Sequence, residues 1–273
     1  MRLESPGALR KAKYHKTNAG FETSYPLSIA LPVHNEAATL PRFLEILGGY
    51  LDSRFGGVPV EIVIINNGST DGTARVARSI PNSRERRVVY REYPWRDYSE
   101  AVRRAVLLST GERIAWLGVD IDDIASIGRG LETLEKTAAD LVILSKYRGA
   151  DWRPARRVAL NRAYNFLGKV LDGMSYSDIE GYMIITGRVR AIFESLGFSR
   201  GNTINLNLLY FAKKQGMRVV EAPFYVKEKR ESVFLRGLSR LVWMDIGSML
   251  TIHQKYKRFA EMRSHRDSGI RQP

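Results

Sequence analysis

The chain has 273 residues, 44% of them apolar and 26% charged, an ordinary globular balance with enough length for one large α/β domain or two small ones. It contains no cysteine, which excludes disulfides and thiolate metal sites. Its 43 Lys and Arg against 29 Asp and Glu leave a net charge of +14, which points to an anionic partner: nucleic acid, anionic lipid or a phosphorylated substrate.

Taken in chain order, residues 1–24, MRLESPGALRKAKYHKTNAGFETS, lack the apolar stretch of a signal peptide. They are expected to form a basic, flexible leader on a cytoplasmic protein. No run of about 18 consecutive apolar residues follows, so no integral membrane span is expected. From about Pro26 short β-rich runs alternate with helical patterns. PLSIALPV predicts a strand and EAATLPRFLEILGGYL a helix; VEIVIINN a strand and TARVARSI a helix. RRVVYREY, YSEAVRRAVLLST and RIAWLGVD predict strand, helix and strand, and IGRGLETLEKTA with DLVILSK continues the alternation. Apolar strands interleaved with amphipathic helices predict a mostly parallel sheet covered on both faces. After Lys146 comes a basic, aromatic loop, YRGADWRPARR, and then a helix through RVALNRAYNFLGKVL. A short strand and helix in GYMIITGRVRAIFESL, a helix in NLNLLYFAKKQG and a strand in MRVVEAPFYV follow. Apolar residues at 235, 238, 242, 249, 252, 256 and 259 predict an amphipathic helix or helix pair. Residues 227–273 carry eleven Lys or Arg against five acids.

Three loops fall at the carboxyl ends of predicted parallel strands, where open α/β sheets bind ligands. The first is LPVHNEAATL, the second IINNGSTDGT and the third the acidic end of AWLGVDIDDIAS. In the second, Gly68 permits close backbone approach, and Ser69, Thr70 and Asp71 suit the cap of the next helix. In the third, Asp120, Asp122 and Asp123 repel one another unless a cation sits among them; a solvated acidic turn is the plainer alternative. No phosphate-cradling Gly-x-x-x-x-Gly-Lys is present and no Gly-x-Gly-x-x-Gly follows the first strand, which disfavours a kinase or a dehydrogenase.

Together the loops resemble those of family 2 glycosyltransferases. The family's P-x-(Y/F)-N-E is similar to Pro32-Val33-His34-Asn35-Glu36, its D-D-G-S-x-D-x-T to Asn66-Asn67-Gly68-Ser69-Thr70-Asp71-Gly72-Thr73, and its D-x-D to Asp120-Ile121-Asp122. Within the family the likeness is closest to dolichyl- or polyprenyl-phosphate sugar synthases. Leu144-Ser145-Lys146-Tyr147, Asp178-Ile179-Glu180-Gly181-Tyr182 and Gly216-Met217-Arg218-Val219-Val220-Glu221-Ala222-Pro223 match their later motifs. The departures are the Asn66-Asn67 pair where acids are usual, Lys146 for an Arg that would fork onto phosphate, Asn207 for Glu, and Val233 for Lys.

The resemblance implies a GT-A type fold over residues 25–226, a mostly parallel Rossmann-like sheet with helices on both faces. Its nucleotide-sugar half would be 25–146 and its acceptor half 147–226, with C-terminal amphipathic helices in a basic tail over 227–273. It implies a metal-dependent, inverting transfer of a hexose from a nucleotide-diphosphate sugar of GDP-mannose or UDP-glucose type. The acceptor implied is a polyprenyl or dolichyl phosphate; a hydroxyl acceptor (glycan, glycolipid or small polyol) is the alternative. Asp120 and Asp122 would hold Mg²⁺ or Mn²⁺ on the donor diphosphate, as hard oxygen ligands suit, and Asp123 would be an outer support or a helix cap. Pro32, His34, Glu36, Ile65, Asn67 and Ile121 would line the nucleotide pocket, and Lys146, Lys227 and Arg230 would contact phosphate. Asp178 would position or deprotonate an acceptor, unless it caps a helix or pairs with an arginine; Glu180 is the alternate. Arg153, Arg156, Arg157, Arg162 and Lys169, beside Trp152 and Tyr164, read either as a basic acceptor mouth or as an ordinary solvated helix. The tail reads as a peripheral anchor on an anionic membrane surface, or as core packing, or as a dimer contact. A nucleic-acid role would explain the charge and leave the three loops unexplained, so none is expected.

Overall fold

The computed structural model describes residues 25–195, 203–227, 247, 250–258 and 260–261. The expected leader over 1–24 and most of the basic tail over 227–273, Val233 included, lie outside the described residues. Seven strands form one sheet: β1 (Tyr25–Val33), β2 (Val60–Asn67), β3 (Arg86–Tyr93), β4 (Gly111–Trp116), β5 (Leu141–Asp151), β6 (Tyr182–Thr186) and β7 (Val219–Val226). Their order across the sheet is β3-β2-β1-β4-β6-β5-β7, and β6 alone runs against the rest. The helices are α1 (Leu40–Phe55), α2 (Thr73–Arg78), α3 (Tyr98–Leu108), α4 (Ser126–Thr137), α5 (Ala155–Asp172), α6 (Gly187–Ser195) and α7 (Ile204–Lys214), and residues 250–258 are also helical.

The central strands are unbroken apolar runs because both faces are covered: all eight residues of β2 are buried. Successive side chains alternate between two cores. Ala30, Val63, Ile65, Ile114 and Trp116 face α3, α6 and α7, while Ile29, Leu31, Ile62, Ile64 and Leu117 face α1 and α4. The expected α/β arrangement is therefore observed. α1 begins at Leu40, four residues later than its apolar pattern suggests, because Pro41 fits only the first helical turn.

One expectation is corrected on the acceptor side. The segment read as a loop from Tyr147 is the far end of β5, which runs to Asp151 and pairs with β7 on both sides of an irregularity between Ser145 and Ala150. The two strands that flank β1 are β2 and β4, and the chain winds outward from β1 to β2 and β3 before crossing to β4. The order thus reverses between β1 and β4, and the carboxyl ends of strands at such a reversal are where open α/β sheets bind ligands.

Candidate active site

Two loops at that reversal point are latched together. At the end of β1, His34 Nδ1 lies 2.8 Å from the carbonyl of Asn67, and the Asn35 amide donates to Ser69 Oγ at 2.9 Å. Asn35 sits at φ +55°, a left-handed position that Asn tolerates better than most side chains, and its Oδ1 accepts from the Thr70 amide at 2.8 Å. The Glu36 amide donates to Thr73 Oγ1 at 2.8 Å and the Ala37 amide to Asp71 Oδ2 at 3.2 Å. Asp71 also takes the Thr73 amide at 2.9 Å and the Thr73 hydroxyl, and these bonds, the hydroxyl foremost, hold its carboxyl below the usual range. Gly68 is required at the turn: it has φ +64°, and a Cβ there would stand 2.9 Å from the backbone of Trp95.

The asparagine pair braces these loops. Asn66 Oδ1 accepts from the Ser69 amide at 3.3 Å and Asn67 Oδ1 from the Asp97 amide at 2.7 Å, with both residues buried. An amide oxygen serves for those backbone donors, so the exchange of acid for amide leaves the loop intact. Pro32 and Glu36 are half-buried beside the latch. Ile65 is corrected: its side chain is 1% exposed in the core with Val102, so it cannot line the pocket.

The third loop leaves β4 at Leu117 and carries its acids into solvent. Asp120 and Asp122 are exposed, and Asp122 makes no hydrogen bond or ion pair among the described residues. Asp120 Oδ1 accepts the Tyr182 hydroxyl at 3.2 Å. Gly118 makes room for that bond, since a Cβ there would lie 2.2 Å from the Tyr182 oxygen. Burial, then the charge of Asp120, raises the Tyr182 phenol well above its ordinary value, so Tyr182 stays protonated and donates. Tyr98 is raised for the same reasons, burial first and then the charges of Asp120 and Glu180. Ile121 is partly buried against the α1/α4 core. Asp123 is set apart from its two neighbours: its carboxylate pairs with Arg129 and accepts the Tyr225 amide at 3.0 Å. It supports the loop rather than capping α4, whose N-cap position is Ala125.

On the acceptor side a buried pair replaces the expected free groups. Asp178 is fully buried; Lys146 Nζ lies 2.8 and 3.0 Å from its two oxygens, and the Lys146 amide donates to it at 3.0 Å. Glu221 Oε1 holds the preceding turn through the Ser177 amide at 2.8 Å, the Ser177 hydroxyl at 2.7 Å and the Asp178 amide at 3.2 Å. These contacts correct two expectations. Asp178 cannot touch an acceptor from this position, and the Lys146 ammonium is committed to Asp178 rather than to phosphate. The side chain that does reach solvent is Glu180, two residues on. It accepts from Asn161 Nδ2, and Asn161 Oδ1 accepts the Tyr147 hydroxyl at 2.6 Å. Desolvation raises the Glu180 carboxyl above its usual range; Lys146 and Arg153 draw it down, and Asp178 pushes it up. Arg157, half-buried on α5, is depressed by burial and then by the charge of Arg153, with Asp120 and Glu180 opposing the shift. Lys227 is exposed past β7 with its ammonium 5.0 Å above the Trp152 ring, and Arg230 lies outside the described residues.

Tyr182, bonded to Asp120, and Tyr98, raised in part by the charges of Asp120 and Glu180, were not singled out by spacing. Tyr182 opens β6, whose next residue, Met183, pairs with Trp116 of β4; that register brings the phenol to the acidic loop.

A reversed sheet order, latched loops at two strand ends and a pair of solvent-facing carboxylates mark one edge of a GT-A fold as the candidate site. The chain matches the model of the family "Glycosyl transferase family 2" over residues 28–193, more than half its length, and belongs to that family of glycosyltransferases. A PGL/p-HBAD biosynthesis glycosyltransferase of Mycobacterium tuberculosis is 35% identical over 94 residues, 34% of this chain and 34% of that protein. The chain therefore matches about a third of the length of those mycobacterial relatives. A dolichyl-phosphate beta-glucosyltransferase of Trichomonas vaginalis is 26% identical over 211 residues, 72% of this chain and 64% of that one. Among solved structures, glucosyl-3-phosphoglycerate synthase of M. tuberculosis with Mn²⁺, UDP-glucose and phosphoglyceric acid superposes with a TM-score of 0.62 at 20% identity, over 84% of this chain and 80% of that one. Its form with Mg²⁺ and UDP gives 0.62 at 19% identity, over 92% and 84%. These likenesses establish the fold.

Proposed function

We propose that the protein transfers a hexose, with inversion, from a nucleotide-diphosphate sugar of UDP-glucose type to a polyprenyl phosphate, with Mg²⁺ or Mn²⁺ bound at Asp120 and Asp122. The observation that carries this is the pair of exposed carboxylates at the sheet's reversal point, which among the described residues receive a single protein donor, the Tyr182 phenol. The residues fit such an ion. Two carboxylates with no third acidic or imidazole ligand nearby among the described residues suit a hard cation that takes its other ligands from substrate phosphate and water. When bound, the ion supplies charge neutralisation on the departing nucleoside diphosphate.

The chain's own residues do the rest. The latched loops offer a rigid wall for the base and ribose at His34 and Glu36. Tyr182, kept protonated, holds Asp120 in one orientation. Arg157, on the helix whose Asn161 bonds Glu180, offers positive charge to an anionic acceptor. The acceptor oxygen attacks the anomeric carbon, the bond from that carbon to the diphosphate oxygen breaks, and the nucleoside diphosphate leaves with the electron pair. A phosphate acceptor is already ionised and needs no base. The name of the dolichyl-phosphate glucosyltransferase relative supports the lipid-phosphate acceptor, and the UDP-glucose-bound neighbour, itself named with phosphoglyceric acid, supports the donor class.

A second reading, transfer to a hydroxyl, is favoured by one observation: Glu180 is solvent-accessible and its carboxyl is raised above its usual range, the direction a general base needs. Labelled UDP-glucose with Mn²⁺ and either detergent-solubilised undecaprenyl phosphate or alcohol acceptors separates the two. The main reading predicts labelled lipid from wild type, with Glu180→Gln retaining activity within about threefold. The second predicts labelled alcohol product and a loss of about 10²-fold or more in E180Q, the usual contribution of a general base.

A further inference from the structure

α5 is built inside out. Its buried residues are Asn161, Asn165, Gly168 and Asp172, at steps of four, three and four. Ala159, Ala163, Phe166 and Val170 repeat the same steps two residues earlier and are all exposed. Two residues turn a helix by about 200°, so the second row lies opposite the first. A helix on a water-soluble surface normally places these rows the other way round. Here Phe166 is 64% exposed and Val170 61%, and Leu160 and Leu171 widen the row at 38% and 39%. Single exposed apolar residues are ordinary; a stripe running from Ala159 to Leu171, about 20 Å of helix, marks a contact surface.

The inward face explains how this is tolerated. Asn165 Oδ1 accepts the Ile179 amide at 2.8 Å, and Asn161 bonds Tyr147 and Glu180. The polar row thus fastens the helix to the turn that carries Asp178 and Glu180, and the apolar row is left facing away from it.

We infer that this outward stripe docks on an anionic lipid surface. The charge around it argues for that occupant. Arg162 and Lys169 line one border and Arg156 stands at the stripe's amino-terminal end, all exposed, while the only acid on the helix is the buried Asp172. An apolar stripe bordered only by cations is complementary to acyl chains beneath anionic headgroups. This deepens the lipid-acceptor reading, since docking would hold the chain at the surface where such an acceptor resides. It rests on a surface that takes no part in the chemistry, so the two can fail separately.

The test is co-sedimentation of the full chain, without donor, on vesicles of phosphatidylcholine alone and with about one-third phosphatidylglycerol, at low and high salt. Docking predicts binding to the anionic vesicles that weakens with salt. It predicts a tenfold or greater loss in Phe166→Glu/Val170→Glu, with an unchanged melting temperature, and a smaller loss in Arg162→Gln/Lys169→Gln. Wild-type indifference to anionic vesicles overturns the inference, as does unaltered binding by F166E/V170E. A wild-type dimer in light scattering that F166E/V170E converts to monomer also overturns it, because the occupant is then a second copy. Transfer to detergent-solubilised lipid phosphate by a chain that ignores vesicles would retain the proposed reaction and remove the docking; vesicle binding without any such transfer would do the opposite.

Discussion

Glu61 and the pair Asp120 and Asp122 lie at opposite ends of the same parallel strands. Glu61, near the start of β2, is fully buried, and neighbouring strand starts converge on it. Ser28 Oγ donates at 2.6 Å, the Thr110 amide at 2.7 Å and the Thr110 hydroxyl at 3.1 Å, with Arg87 at 3.7 Å. At the other end Asp120 receives one phenol and Asp122 nothing among the described residues. A carboxylate encircled by donors is a structural tie, and its free energy is spent on the fold. Carboxylates left to water at a point where the sheet order reverses are available to a ligand. The difference is one of partners rather than of residue type, and it separates scaffold from site within a single sheet.

The comparison can be broken by crossed substitutions. The largest effect is expected on catalysis. Asp122→Ala should lower turnover of the donor by about 10³-fold, the scale of losing a metal's charge neutralisation, while urea unfolding stays within about 0.5 kcal/mol of wild type. Near-normal turnover would place Asp122 with the surface acids. Glu61→Ala should do the reverse. It leaves buried donors unpaired at a cost of about 3 kcal/mol in urea unfolding, with turnover of the remaining folded protein close to normal.

A smaller effect is expected at Asp172, the inward end of α5. Its carboxylate oxygens are buried without hydrogen-bond partners, His253 stands 3.8 Å away, and burial raises its pKa to about 6, partly offset by His253. The folded chain therefore keeps a proton that the unfolded chain releases near pH 4, so this residue's contribution to stability falls as pH rises from about 4 to 6. Asp172→Asn should raise the melting temperature by a few degrees at pH 7 and by little at pH 4. An equal shift at both pH values would show that the carboxyl is not titrating.

Much of the sheet was legible beforehand because its signals are local: unbroken apolar runs for central strands, 3.6-residue periodicity for the helices between them, and Gly68 at the second turn. The acidic loop was legible for the same reason, since Asp120 and Asp122 sit together in the chain. Hidden features depend on partners far along the sequence. Asp178 reads as a catalytic acid until Lys146, 32 residues earlier, is found against it. Ile65 reads as pocket-lining until the alternation of β2 turns it into the core. The far end of β5 reads as loop because its pairing with β7 skips between Ser145 and Ala150. The inversion of α5 was concealed by its composition, where bases and apolar residues mix evenly and only the packing shows which row faces inward.

The central claim is that Asp120 and Asp122 hold a divalent ion against a nucleotide diphosphate. Electron paramagnetic resonance of Mn²⁺ titrated into the protein with UDP measures this directly, because bound ion loses the free-ion signal. Wild type should remove free Mn²⁺ in a UDP-dependent manner, and Asp120→Asn/Asp122→Asn should restore the free signal while its circular dichroism stays that of wild type. Undiminished, UDP-dependent Mn²⁺ uptake by that double variant would contradict the account.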